Sequence, residues 1–228
     1  MNLRIPISDV RAGSPSVRTC LLLLVTCTLC LVHLSCAALG AAAHALPKYE
    51  EAHYAGLIGQ SVGVMVWADR GIRIDWPSVQ IDLASLVQDR LAKSGAKEIK
   101  GTTFPVQPGS IVRYQRDHPG TEAVPITEIA PKLGVSRLIY IEVEGLSTRS
   151  DMSLQMYRGN ITATLKVVEI APDGTATVPY QENGIRAFFP PKSPPDGVLN
   201  SNDIVMYHGV VGALSDEIVN RLTTHEVD

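Results

Sequence analysis

Two tryptophans, two arginines and two aspartates fall within one segment of ten residues, from Trp67 to Trp76. Tryptophan and arginine are enriched at the energetic centres of protein interfaces. The segment follows a predicted strand, and ligands of open α/β sheets bind beyond the carboxyl ends of strands. In an alternative interpretation, the tryptophans fill a helix-sheet junction and Asp69 pairs with Arg73. We predict a partner-binding segment formed by Trp67, Asp69, Arg70, Arg73, Asp75 and Trp76.

No catalytic motif accompanies this segment in the sequence. No serine lies in the glycine pattern of a nucleophile elbow, and no two histidines have the spacing that binds zinc on a helix. No glycine-rich phosphate loop follows the first predicted strand. We therefore expect no cofactor, no metal and no enzymatic activity. An alternative is a secreted small-ligand-binding protein or hydrolase that uses the 105–125 loop through Asp117, His118 or Glu122.

The N-terminal segment has the layout of an export signal. Three arginines precede a hydrophobic run from Cys20 to Val32, and a tract of small residues follows up to Ala45. All four cysteines lie in this segment, so the remainder of the chain has no thiol with which to form a disulfide. The leader predicts that the folded part works outside the cytoplasm.

Three fates of this leader are consistent with the sequence. Cys36, in the sequence Leu-Ser-Cys-Ala, resembles the lipobox of bacterial lipoproteins, in which the cysteine is acylated and becomes the N-terminus. Ordinary signal peptidase would instead cut after Ala43–Ala45 and leave Leu46 first. Residues 20–43 are also about long enough to remain as a membrane anchor. We predict lipidation of Cys36 and an outer-membrane lipoprotein facing the periplasm, with a soluble periplasmic protein as the alternative.

Length and charge limit the remaining function classes. The mature chain has about 190 residues, which is enough for one domain with a sizeable core. Loss of the leader removes three arginines and one aspartate, so the net charge moves from −3 to −5. An acidic domain is a poor partner for nucleic acid. We predict a signal and lipobox segment at 1–36, a tether at 37–60 and a single α/β domain at 61–228.

Hydrophobic periodicity predicts the elements of this domain. A buried strand is expected at 61–67, and the stretch 105–125 is expected to be mostly loop because it contains four prolines. The pattern predicts further strands at 98–104, 137–148, 158–170 and 177–189, and helices at 78–94, 127–133 and 202–223. The expected fold is a single α/β sandwich, α+β-like, with three helices and a mixed sheet of about five strands in the order β-α-β-α-β-β-β-α.

Four segments carry a family resemblance: the strand 62–66, the helix 83–91, the helix-to-strand passage 129–140, and the strand and turn 165–174. With the leader, they resemble the small α/β envelope lipoprotein domains of the curli-secretion lipoprotein, the penicillin-binding-protein activators and the N-terminal domain of the Tol-Pal propeller protein. Tyr180 stands where that family usually has a tryptophan. The resemblance implies an envelope lipoprotein that binds a protein or cell-wall partner; a further alternative is a subunit of a secretion or transport complex.

Overall fold

The computed structural model describes residues 48–227, so the leader and Cys36 lie outside the described residues. Its strands are β1 (Lys48–Glu50), β2 (Val62–Ala68), β3 (Arg137–Ser150), β4 (Ser153–Ile170), β5 (Ala176–Phe189) and β6 (His225–Val227). Its α-helices are α1 (Arg70–Asp75), α2 (Val79–Lys93), α3 (Pro108–Asp117), α4 (Ile126–Ile129) and α5 (Asp203–Leu222). Short 3₁₀ turns lie at Lys97–Ile99, Pro119–Ala123 and Ala130–Leu133.

The main sheet has four strands in the order β2-β3-β4-β5. Strands β2 and β3 are parallel, with Val64 opposite Ile139, while the β3-β4 and β4-β5 pairs are antiparallel. Strands β1 and β6 form a separate two-stranded sheet. These elements confirm the predicted α/β sandwich, with a main sheet of four strands. None of the helices within residues 48–227 is long and apolar enough to cross a membrane.

Both faces of β2 are buried, which explains its continuous apolar sequence. Alternate residues Val62, Val64 and Val66 belong to the larger core, whereas Met65 belongs to a second, smaller core. Helices α2 and α5 supply the larger core with side chains at helical spacing: Leu83, Val87 and Leu91, and Val211, Leu214 and Ile218. The smaller core contains Ile111 of α3 and Ile129 of α4. The helices therefore cover the sheet from both sides near β2.

The prediction of a strand at 98–104 is wrong. A 3₁₀ turn occupies Lys97–Ile99, and Gly101 has a φ of +75° that turns the chain. Glu98 is buried and accepts a hydrogen bond of 2.7 Å from the Thr224 hydroxyl. Within the described residues, this segment forms one isolated β-bridge, from Thr103 to Ser61, the residue before β2. A buried carboxylate and a left-handed glycine thus replace the expected strand.

The prediction that residues 105–125 form mostly loop is also wrong, because ten of them make helix α3 and five more make the 3₁₀ turn Pro119–Ala123. Pro108 is the first residue of that helix, where its missing N–H would be unbonded in any case and its fixed φ favours helix. Ile111 lies three residues later and is fully buried against the sheet. Pro119 lies beyond the helix end. Pro108 and Pro119 thus bracket a helix and do not form a loop.

Residues 49–60, which precede β2, are part of the folded unit, which extends from Tyr49 to Val227. The backbone N–H of His53 donates to the Arg221 carbonyl at 2.8 Å, and Leu57 has no exposed surface. The Tyr54 hydroxyl donates to Glu169, at the end of β4, at 2.7 Å. Residues 49–60, which the sequence assigns to the tether, thus pack against the fold at the amino ends of β2 and β3.

Glu182 connects this N-terminal segment to β5 and α5. Its carboxylate accepts hydrogen bonds from the Tyr180 hydroxyl at 2.6 Å and from Arg221 Nε at 2.9 Å, and His53 Nδ1 lies 3.1 Å away. Partial burial acts to raise the pKa of Glu182, but hydrogen bonds from Tyr180, Arg221 and His53 outweigh it and lower the pKa to about 2. The ionised carboxylate therefore stabilises the folded state.

Replacement of Glu182 by glutamine is expected to lower the free energy of unfolding at pH 6 by about 1–2 kcal/mol, after a discount for the partial exposure of the side chain. Because the folded-state pKa lies below the ordinary value of 4.5, this stabilisation is present above pH 4.5 and is lost as the pH falls toward 2. Urea unfolding at pH 6 and pH 3 measures the change. The exposed Glu226→Gln variant is the control, and a wild-type advantage that is the same at both pH values would contradict the prediction.

Candidate functional site

A cavity of about 220 Å³ lies beside the carboxyl end of β2. Strand β2, helices α1, α2 and α3, and the 3₁₀ turn after α3 all contribute to its wall. It is lined by Trp67, Arg73, Gln80, Val112, Gln115, Arg116 and Thr121. We call this cavity the Trp67 pocket. Its position is the one in which open α/β sheets bind ligands.

Two glutamines bind the backbone of β2 at the side of the Trp67 pocket. Gln80 Nε2 donates to the Val66 carbonyl at 2.8 Å, and Gln115 Nε2 donates to the same oxygen at 3.0 Å. These bonds satisfy a carbonyl on an edge strand, where no neighbouring strand is available to do so. They also assign the orientation of the Gln115 amide, because its nitrogen must face Val66. Gln115 Oε1 is then the atom free to face another group.

Trp67 Nε1, which can donate, and Gln115 Oε1, which can accept, are buried atoms of the pocket wall that have no hydrogen-bond partner among the described side chains. A buried polar group without a partner costs about 1–3 kcal/mol, and native structures leave few of them. An unmatched donor and an unmatched acceptor in one pocket therefore favour a ligand that offers both an acceptor and a donor.

In the described wall of the Trp67 pocket, the charged side chains are those of Arg73 and Arg116. The side chain of Arg116 is 73% exposed, and its Nε lies 3.4 Å from the carboxylate of the neighbouring Asp117. An exposed pair at this distance contributes little to stability, so the Arg116 guanidinium can exchange Asp117 for another anion. The described wall of the pocket is therefore polar and cationic.

The structure divides the six residues of the predicted partner-binding segment into three groups. Trp67 and Arg73 line the pocket. Trp76 stacks on Tyr207 of α5, with ring centroids 4.5 Å apart and planes at 8°, and it packs against the larger core. This is the packing role that the alternative interpretation assigned to both tryptophans. The remaining three are exposed on or beside α1: Asp69, Arg70 and Asp75.

Sequence reasoning missed three polar residues of the pocket, Gln80, Gln115 and Thr121. Gln115 and Thr121 lie in the stretch interpreted as loop, where no helical face could be defined. Helical spacing of Ile111 and Gln115, read from Pro108 as the first helical residue, would have placed both on the side of α3 that meets the sheet. Gln80 follows the correctly predicted start of α2, but a single glutamine gives no signal of its contact with Val66.

Asp117 and His118, two residues of the alternative hydrolase site, lie outside the described wall of the Trp67 pocket. His118 is exposed at the end of α3, where its ring stacks on Tyr114 at 4.4 Å and Nδ1 lies 2.9 Å from the Tyr114 carbonyl oxygen. Asp117 contacts Arg116, and the side chain of Glu122 falls outside the described part of the structure. Among the described residues, no three His, Cys, Asp or Glu side chains are grouped so that they could hold a metal ion.

A larger concavity of about 600 Å³ lies along residues 92–104, after helix α2. No described side chain of its wall carries a buried polar atom without a hydrogen-bond partner. Its position, beside the amino end of β2 and the irregular segment that bridges to it, is also not the one that α/β sheets use for ligands. The Trp67 pocket is therefore the better candidate site.

No family model matches this chain, and no curated protein matches it. Among solved structures, the hypothetical protein CT253 from Chlamydia trachomatis is similar, at 20% identity and a TM-score of 0.43 over 71% of this chain and 95% of that one. A PelC dodecamer from Paraburkholderia phytofirmans is similar at 12% identity and a TM-score of 0.40, over 78% of this chain and 98% of that one.

The lipoprotein GNA1162 from Neisseria meningitidis is similar at 13% identity and a TM-score of 0.39, over 70% of this chain and 98% of that one. All three comparisons cover nearly the whole of the other protein. With such low identities and TM-scores, they assign neither a family nor a function to this chain.

Proposed function

We propose that this chain is a non-enzymatic lipoprotein of the bacterial cell envelope, which is attached to the outer membrane through Cys36 and binds a protein or cell-wall partner on the periplasmic side. The basic, hydrophobic and small-residue regions of the leader support export. The observation that carries the binding role is the indole N–H of Trp67, which has no partner among the described side chains and lies in a polar pocket at the carboxyl end of β2. Exposed charged residues of α1 extend this surface.

The position of the N-terminal segment supports the same role. Tyr54 and Leu57 pack at the amino ends of the strands, where the Arg137 side chain of β3 donates to the Gly56 carbonyl at 3.2 Å. Trp67 lies at the other end of β2, about 20 Å away for a strand of this length. A domain held from its N-terminal side would present the Trp67 pocket away from the membrane, toward a partner in the periplasm.

Site-specific cross-linking tests the binding role. Ile74 of α1, which follows Arg73, is 67% exposed, and Tyr49, at the other end of the fold, is 62% exposed. A photoactivatable residue at each position is irradiated in intact cells. We expect a discrete adduct from position 74 and at least about fivefold less of it from position 49. A partner bound at the pocket would contact the surface near α1 and not the opposite end of the fold.

Arg70→Glu is expected to reduce the adduct from position 74, because it reverses an exposed charge beside the pocket without touching the core. Equal adducts from positions 74 and 49, or no adduct from position 74 in a protein that remains folded, would contradict the binding role.

A further inference from the structure

We propose that the Trp67 pocket binds the free C-terminus of a peptide, so that the terminal carboxylate meets Trp67 and Arg116 while the amide N–H of the last residue donates to Gln115. This inference rests on the binding role proposed above and names the ligand class for the same site.

The donors of the pocket fit a carboxylate. The indole N–H of Trp67 is buried and has no acceptor among the described side chains. Arg116 adds a guanidinium whose five donors match the planar geometry of a carboxylate, and its weak contact with Asp117 leaves it able to turn. Hydrogen bonds from a cation to an anion are shorter and stronger than neutral ones. A carboxylate has two oxygens, so it can accept hydrogen bonds from both the Trp67 indole and the Arg116 guanidinium.

The acceptor of the pocket excludes a simple anion. Gln115 Oε1 is buried without a donor among the described residues, and the bond from its Nε2 to the Val66 carbonyl prevents the amide from turning its nitrogen into the pocket. Sulfate and fully ionised phosphate bring no proton for that oxygen. A peptide C-terminus brings a backbone N–H two bonds away from the carboxylate carbon, so one ligand satisfies both unmatched atoms.

The size of the pocket fits one terminal residue. A cavity of about 220 Å³ is smaller than the 300–1,000 Å³ range of sites for drug-sized ligands. Val112 of α3 provides the apolar part of the wall, against which a small side chain can pack. The rest of the peptide then leaves the pocket over the exposed surface of α1.

Nuclear magnetic resonance of the folded domain tests the inference, because the chain has two tryptophans and hence two indole N–H signals. N-acetylalanine, with a free carboxylate, is titrated into ¹⁵N-labelled protein in the millimolar range, and N-acetylalaninamide is the matched control. We expect the Trp67 indole signal to move downfield with the carboxylate, and the Trp76 signal to stay in place because Trp76 stacks on Tyr207. The amide should bind at least about tenfold more weakly.

Three variants separate the contributing groups. Trp67→Phe keeps an aromatic ring and removes the N–H, and we expect at least about tenfold weaker binding, followed through the backbone signals of Gln115 and Thr121. Trp76→Phe removes an indole N–H outside the pocket and should not change the affinity. Asp117→Asn removes the competing carboxylate beside Arg116 and should tighten binding a few-fold.

Two results would overturn the inference. Equal shifts with the acid and the amide would mean that the pocket does not recognise a carboxylate, and an unmoved Trp67 signal in folded protein would mean that the ligand does not enter the pocket. Neither result decides whether the chain binds a partner. The adduct from position 74 tests that role separately, because cross-linking does not depend on the chemistry of the ligand.

Discussion

Replacement of Gly159 by alanine is expected to lower the free energy of unfolding by about 2–3 kcal/mol. Gly159 lies in β4 directly beneath helix α5. An added Cβ would lie 2.8 Å from Val210 Cβ and 3.0 Å from the Met206 carbonyl oxygen, both of which are parts of that helix. A backbone oxygen cannot turn aside as a flexible side chain can, so the whole helix must shift and loosen its buried stripe against the sheet.

Gly145→Ala on the neighbouring strand β3 is the control. A Cβ there would meet no atom within 4 Å, and we expect a change within about 0.5 kcal/mol. Urea unfolding of both variants at neutral pH measures the difference. Equal destabilisation by the two substitutions would contradict the close approach of α5 to β4.

The same packing positions the candidate site. Helix α5 carries Tyr207, which stacks on Trp76 and donates from its hydroxyl to Asp82 of α2 at 2.6 Å. Trp76 joins α1 to α2, so a shift of α5 is transmitted to the helix that contributes Arg73 to the pocket wall. A large loss of stability in Gly159→Ala should therefore be accompanied by weaker adduct formation at position 74.

Elements with regular periodicity could be predicted from the sequence. Helix α2 begins and ends within one residue of the prediction, because Leu83, Val87 and Leu91 mark one apolar stripe and Gly95 follows its end. The alternation in β4 and the turn before β5 predict the β4-β5 hairpin in the same way. Each of these signals is local, since the side chains that define the pattern belong to one element.

Helix α3 and the segment at 98–104 could not be predicted by the same reasoning. Pro108 and Gly109 are loop residues by composition, and they become helical because a proline at the first position needs no N–H donor. The burial of Glu98 depends on Thr224, which lies 126 residues away. Contacts over such distances in the sequence leave no periodic trace.

Only part of the candidate site could be predicted from the sequence, because its other residues come from distant segments. Trp67 and Arg73 could be identified because they follow a strand whose carboxyl end is a ligand position in α/β sheets. Gln115 enters the site from a different helix, and its role depends on the hydrogen bond to Val66. Trp76 is a tryptophan of the same segment as Trp67, but it packs on Tyr207 because it faces α5.

Lipidation of Cys36 is the prediction with an all-or-none outcome. An acylated N-terminal cysteine with two or more chains holds a protein stably at a membrane, whereas a single chain gives reversible binding. Cys36→Ala is expected to abolish the acyl mass completely, because the thiol is the atom that is modified. Cys30→Ala, within the hydrophobic part of the leader, removes a cysteine of the same segment and should leave acylation unchanged.

Mass spectrometry of the mature N-terminus, recovered from the membrane fraction, tests the central claim most directly. If the chain is an exported protein held at the envelope by lipid, the N-terminal peptide begins at Cys36 and carries acyl chains. A soluble protein that begins at Leu46 would contradict lipid attachment, and an intact chain that begins at Met1 in the cytosol would contradict export itself.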